Sequence, residues 1–492
     1  MSPYPDPRSC RWLGVAGSVA LAGGGLASGA LPVLTLRPHA DAGLIVVYFG
    51  LIVLISAWWA LGKALPSSES WLRRTLLLWL LPLALGPPLF SRDVYSYLAQ
   101  GAMVVAGIDV YRFGPSHLGG PLADQVPMIW RDTPAPYGPV FLRIAAAVAQ
   151  VAQSDVIAGV AGLRVVALAG LGLLVFFLPR LARICQVDPA AALWLGALNP
   201  LVLLHFVAGA HNDAVMMGLL VAGLAVAARY PIPGAVLVAL AGLVKAPAAL
   251  GLLAVAWCWA DPAGIRVKAA SDQASHQGKA VARLWPGSAG SRVKAVAGTA
   301  FTRLWAGSAG RRVKAVLGTA SVALATGVAA TFAAGTGYGW MSALDTPVSA
   351  SNWSLSSAIG RLTGEVLRSL GSDLAALAVP TWRWIGIAAA AATALVAWHR
   401  HSPVYALGLS LAGFALLGPA TRPWYLLWGL IPIAAAAPPG AARRYCAALC
   451  AILAIVVLPD GYPPTVAQLG LAAAGSALAA VTLWRAGVRW PA

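Results

Sequence analysis

Apolar residues in this chain come in long unbroken blocks. Three lie near the start, at 12–31, 43–62 and 75–90, and more follow at 156–178, 189–207, 212–228 and 316–334. The remaining blocks are 381–398, 403–417, 424–438, 445–459 and 465–484. Each is long enough to cross, or nearly cross, a hydrocarbon core of about 30 Å. A membrane strand would instead alternate polar and apolar over about ten residues. Lipid leaves an unpaired backbone no other solution, so the blocks predict helices. Residues 231–260 form another block, but Lys245 and Pro247 interrupt it, which predicts two short helices, 231–244 and 246–260. The total is about fourteen spans. The expected fold class is an all-α polytopic membrane protein. The segment 138–152 is apolar but short and carries Arg143, so it reads as an interfacial helix in the outer loop 91–155. The first block follows Arg8 and Arg11, as a secretory signal would, yet a second block comes almost at once, so an uncleaved first span is expected.

Composition sharpens this picture. Of 492 residues, 59% are hydrophobic and only 10% charged, against about 25% charged in a soluble domain. The net charge of +18 would suggest nucleic acid in a soluble protein. Here the basic residues gather between alternate spans: Lys63, Arg73 and Arg74, then Arg180 and Arg183, then Arg443 and Arg444. Such clustering marks the cytoplasmic side, so both termini are expected inside and no nucleic-acid partner is expected. The expected location is the cytoplasmic membrane. The five cysteines, Cys10, Cys185, Cys258, Cys446 and Cys450, form no disulfide or metal pattern, and no metal or cofactor is expected.

Four regions follow: N-terminal spans 1–74, a module 75–260 that holds the outer loop, a basic loop 261–315, and C-terminal spans 316–492 with a second outer loop at 335–380. Within the basic loop, RLWPGSAGSRVKAVAGTA (283–300) matches RLWAGSAGRRVKAVLGTA (303–320) at 15 of 18 positions. Two and a half copies are too few to stack into a solenoid, so this reads as a tandem duplication in a tolerant cytoplasmic loop.

The same topology gathers the unusual polar residues on the outer face. They are Arg92 and Asp93, the run His211-Asn212-Asp213, Lys245 and Arg422, with Tyr95, Tyr97, Trp424 and Tyr425 at the same level. Charged residues at mid-bilayer cost about 2.5–3.5 kcal/mol, so such residues sit at the boundary or line a cavity. Taken singly, each has an ordinary explanation as an ion pair, helix cap or snorkelling cation. Together, carboxylates and cations at one boundary suit a lipid phosphate whose tail lies in the bilayer, held by charge-assisted hydrogen bonds, with a carboxylate left for acid–base work.

Six motifs in order carry a family resemblance: SRDVYSYLAQG (91–101), IWRDTPAPYGPVFL (129–142), LNPLVLLHFVAGAHNDAVMMGLL (198–220), GLVKAPA (242–248), GTGYGW (335–340) and RPWY (422–425). The chain resembles the actinobacterial polyprenyl-phosphomannose-dependent α-1,6-mannosyltransferases of the GT-C superfamily, which build the mannan core of lipomannan and lipoarabinomannan. The duplicated basic loop is a departure from that family. The resemblance implies a GT-C fold, a polyprenyl-phosphate-linked mannose donor, a mannan glycolipid acceptor, surrounding membrane lipids as partners, and a site on the outer face.

GT-C enzymes typically carry an essential acid in the first large outer loop, and Asp93 occupies that place. A β-linked donor giving an α-linked product implies inversion in one displacement, which requires one base and a cationic clamp for the departing phosphate. On this reading Asp93 is the base, with Asp213 as its rival or as an acceptor-orienting group. His211 and Asn212 hydrogen-bond sugar hydroxyls. Lys245 and Arg422 clamp the phosphate, with Arg92 third, and Trp130 and Tyr137 wall the pocket. Two alternatives stay open. A transporter of lipid-linked sugar would use the same cations without a base, although it would favour polar residues on both faces. A GT-C transferase of another sugar, such as arabinose, would satisfy the same motifs.

Overall fold

The structure is a computed structural model that describes residues 6–33, 39–261, 309–345, 354–419 and 421–487. The described residues are helical throughout, with no strand among them. All of the first repeat copy, 283–300, and the start of the second, 303–308, lie outside the described residues. The span expected from residue 316 begins earlier, because Ala309–Ala334 is one continuous helix that takes up the end of the second copy. Arg311, Arg312 and Lys314 are good helix formers, so nothing there stops the helix where the apolar block stops.

Among the described residues, five helices are long and apolar enough to cross a membrane unaided: Ala40–Lys63, Val156–Ile184, Gly310–Ala334, Asp373–Arg400 and Val466–Arg485. A sixth is formed if the bent pair Val202–Ala208 and Asp213–Ala227 is taken as one. Shorter apolar helices such as Pro231–Val244, Pro403–Leu417 and Pro423–Ala436 fill other blocks. This is the architecture of a polytopic membrane protein.

Local sequence sets where helices begin. The Asp155 side chain accepts from the backbone N–H of Ile157 and Ala158, opening Val156–Ile184. Thr465 and Gln468 form a reciprocal capping box that opens Val466–Arg485. Glycines set how closely helices approach. Gly17 and Gly24 of Pro7–Ser28 lie against Gly50 and Gly43 of Ala40–Lys63, where an added Cβ would come 2.8 Å and 2.7 Å from the facing carbonyl oxygens. Small residues at such contacts let two membrane helices pack backbone to backbone.

Two interruptions position the site. The chain runs through a π-helical turn, Val202–Ala208, then bends by 111° before Asp213–Ala227, with Ala210 at φ 50°. π-helical turns often mark functional sites. The second interruption is Lys245, extended at φ −155°, ψ 124° between Pro231–Val244 and the short 3₁₀ turn Ala246–Leu250. Gly242 lies against Ala249 and Gly251 against Val238, so the helix Gly251–Ala260 folds back on the first as a hairpin. Lys245 is at its tip, as the interrupted block predicts.

Within residues 91–155, Asp93–Val105 packs on Pro139–Ala152. A Cβ on Gly101 would stand 2.3 Å from the Ala145 carbonyl oxygen, so no side chain fits at this crossing. Gly101→Val is expected to push the two helices apart and destabilise the protein by about 1–3 kcal/mol. Thermal unfolding in detergent checks this, and a melting temperature equal to the native protein's would show the crossing is looser than described.

Candidate active site

A cavity of about 100 Å³ opens at the end of the Lys245 hairpin. Asp93, Ser96 and Gln100 line it from one face of Asp93–Val105. Positions i, i+3 and i+7 share a helix face, so the pattern D-x-x-S-x-x-x-Q in 93–100 points three polar groups the same way. Trp130 and Tyr137 wall the opposite side, with Lys245, Arg422 and Tyr425 completing the ring. The loop before Pro139–Ala152 is pinned here, because Gly138 N–H donates to the Val244 carbonyl (3.3 Å).

Asp93 is the carboxylate that reaches the cavity, with its side chain 18% exposed. Burial pushes its carboxyl above the usual range, while Arg422 and then Lys245 pull it back. Asp213 differs. It is fully buried, and Lys245 Nζ donates to both its oxygens at 3.0 Å. Trp428 Nε1 donates to Oδ1 as well, at 2.5 Å. Asp213 therefore holds Lys245 in place and does not face an acceptor. Burial and these partners leave Asp93, rather than Asp213, as the carboxylate open to a ligand in the cavity. Lys245 keeps one ammonium hydrogen beyond this pair, and it lies over Tyr425 (4.8 Å) and Trp428 (5.2 Å).

His211 sits between the carboxylates. Its Nδ1 is 3.2 Å from the Tyr97 hydroxyl, 3.7 Å from Asp93 Oδ2 and 3.9 Å from Asp213 Oδ2. Its ring packs on Trp424 at 4.3 Å, with His205 4.9 Å from the same indole. Arg422 lies over Trp130 at 5.6 Å. Polar atoms of Ser96, Gln100, Asn212 and His211 Nε2 are buried with no hydrogen-bond partner among the described residues. Buried polar groups are nearly always paired, so such a cluster beside one cavity is the mark of a polar ligand's place. Among the described residues, no group of three His, Cys, Asp or Glu side chains is arranged to hold a metal ion.

The structure thus brings Asp93, Trp130, Tyr137, Lys245 and Arg422 to one cavity, with Tyr97, His211, Asn212, Asp213 and Trp424 close to it or in the layer behind it. Arg92 and Tyr95 go elsewhere. Arg92 donates to the Leu31 carbonyl (2.8 Å) and lies between the Tyr95 and Tyr462 rings, with no ion pair to Asp93 among the described residues. The Tyr95 hydroxyl donates to the Ala30 carbonyl (2.6 Å). Neither lines the cavity, although Arg92 Nε and Nη1 are buried with no hydrogen-bond partner among the described residues. Sequence reading missed Ser96, Gln100, His205 and Trp428, and it placed Tyr425 at this level without giving it a role. The i, i+3, i+7 spacing from Asp93 would have found the first two, whereas Trp428 had no signal apart from its position one turn beyond Tyr425.

Comparison with known proteins places the chain in a family. Residues 11–261 match the description "Alpha-(1->6)-mannopyranosyltransferase, N-terminal domain", and residues 356–485 match "MptB C-terminal domain". A Mycolicibacterium smegmatis protein named "Probable alpha-(1->6)-mannopyranosyltransferase" is 35% identical, covering 87% of this chain and 79% of its own. Alpha-(1->6)-mannopyranosyltransferase A of Mycobacterium tuberculosis is 33% identical over 91% of this chain and 84% of its own. Alpha-(1->6)-mannopyranosyltransferase B of Corynebacterium glutamicum is 30% identical over 86% and 72%. No solved structure matches the chain. With a family match across more than half its length and relatives at this identity over most of it, the chain belongs to the alpha-(1->6)-mannopyranosyltransferase family.

Proposed function

We propose that the protein transfers mannose from a polyprenyl-phosphate-linked donor to a mannan or phosphatidylinositol-mannoside acceptor. The transfer forms α-1,6 linkages with inversion, at the outer face of the cytoplasmic membrane, within a GT-C fold of about fourteen spans. The observation that carries this reading is Asp93, the carboxylate lining a cavity that also holds Lys245 and Arg422. The acceptor's 6-hydroxyl oxygen attacks C1 of the mannosyl donor as its proton passes to Asp93. The C1–O bond to phosphate breaks, and the electron pair leaves with the lipid phosphate. Lys245 and Arg422 supply the counter-charge for that phosphate. Ser96, Gln100 and Asn212 offer unpaired polar atoms to sugar hydroxyls. The cavity has room for about three waters, so its walls part to admit a sugar.

Transfer from a synthetic polyprenyl phosphomannose to an α-1,6-mannobioside, with the product linkage read by NMR, tests the reading. An α-1,6 trisaccharide supports it. Movement of lipid-linked sugar across liposomes without transfer overturns it, as does preference for a polyprenyl phosphoarabinose donor.

The charges around Asp93 also give a pH signature. Burial raises its carboxyl pKa, and Arg422 and Lys245 partly offset that rise. A base works only when ionised, so activity should fall on acidification through a window above the ordinary carboxylate value of about 3.9. A bound donor phosphate neutralises the two cations and removes their downward pull, so the Asp93 pKa rises further. The acid limb of kcat, which reports the substrate complex, is therefore expected at higher pH than that of kcat/KM. Coincident limbs, or a limb below the ordinary carboxylate range, would take the base assignment away from Asp93.

A further inference from the structure

A groove of about 700 Å³ runs between Glu69–Leu85 and Val156–Ile184, away from the cavity at Asp93. Leu80, Leu81, Val165 and Leu168 line one end, and Pro32 and Tyr95 are among the residues at the other. Several lining side chains are open to the surroundings, with Leu85 80% and Ile157 75% exposed. In a membrane protein such a face meets lipid.

One charged side chain lines this groove, Arg164. It is buried, and its Nη1 donates to the carbonyls of Ala84 (3.0 Å) and Gly86 (2.6 Å), and its Nη2 to that of Ala208 (3.0 Å). Its Nε–H has no partner among the described residues. Carbonyls satisfy hydrogens but do not cancel the charge, and no carboxylate pairs with Arg164 among the described residues. The carbonyls at the end of Glu69–Leu85 offset part of the charge, and the remainder, with the unpartnered Nε–H, favours an anion beside the guanidinium. Ala84 and Gly86 bracket the end of Glu69–Leu85, so the guanidinium lies at the level where that helix leaves the membrane. Next to it runs an apolar channel.

We propose that this groove binds an anionic phospholipid of the bilayer, with its phosphate at Arg164 and one acyl chain along Leu80, Leu81, Val165 and Leu168. The lipid-linked donor is not the occupant. Tyr95 lies two residues past Asp93, about 200° round the helix, and faces the groove, whereas Asp93, Ser96 and Gln100 face the cavity. This step rests on the reading of that cavity as the transfer site. The bound phospholipid also braces the site, because Arg164 holds Ala208, where the chain turns toward His211 and Asp213.

Native mass spectrometry of the full chain in mild detergent tests this, with phosphatidylglycerol, phosphatidylcholine and a polyprenyl phosphate offered as probes. Phosphatidylglycerol is expected to be retained about tenfold more tightly than phosphatidylcholine. Arg164→Gln should abolish the preference. That variant also loses bonds to three carbonyls, so Ala161→Trp, at an exposed position lining the groove, provides a second arm. It should lose phosphatidylglycerol retention with its lipid-free melting temperature unchanged. Equal retention of the two phospholipids, unchanged retention in Ala161→Trp, or displacement of phosphatidylglycerol by the polyprenyl phosphate would each overturn the proposal.

Discussion

Asp93→Asn is expected to lower kcat for mannosyl transfer by about 10²–10⁴-fold, the range for losing a positioned base, or about 2.7–5.5 kcal/mol of transition-state stabilisation. The reason is positional. Among the cavity's lining groups Asp93 is the carboxylate, whereas Asp213 is fully buried behind Lys245 and Trp428 and does not line it. The amide nearly matches the carboxylate in size and keeps hydrogen-bonding capacity, so donor binding should survive. KM for the donor should change little while kcat falls. Single-turnover transfer with labelled donor, compared with donor binding by the same variant, makes the check. Full turnover by Asp93→Asn would sink the assignment, and equal losses in binding and turnover would point to a clamp residue rather than a base.

Lys245→Met should produce the largest loss of stability. It leaves the Asp213 carboxylate fully buried without its cation, and breaking a buried pair from one side typically costs about 3–5 kcal/mol. The double variant Lys245→Met/Asp213→Asn removes both charges and should recover most of that loss, since Trp428 can still donate to the remaining amide oxygen. Activity should not return, because the clamp has lost a cation. Thermal melting of the two variants beside the native protein separates the effects. A double variant no more stable than Lys245→Met would mean that the pair is not what holds this region together.

The helical, membrane-embedded character and the break at Lys245 were legible in the sequence, because each follows from chain-local physics. Long apolar blocks can be nothing but helices in lipid, and a lysine followed by a proline two residues on, in the middle of one block, favours a break there. The gathering of Asp93, Lys245 and Arg422, which line one cavity, was also legible, since charge placement along the spans predicts that they lie on one side. Which way each side chain turns was not. Arg92 and Asp93 are neighbours in the chain, yet one bonds to Leu31 and the other reaches the cavity, because the helix begins between them and rotates each following residue by about 100°. Asp93 and Asp213 are the same residue type, and both were expected near the reaction. Only the tertiary structure distinguishes them, by bringing Trp428 from 215 positions away and Lys245 from 32 onto the same carboxylate. Composition and charge order thus determined what kind of protein this is and where its polar residues gather. Burial and partnership, which depend on residues far apart in the chain, decided which of those residues is left free to react.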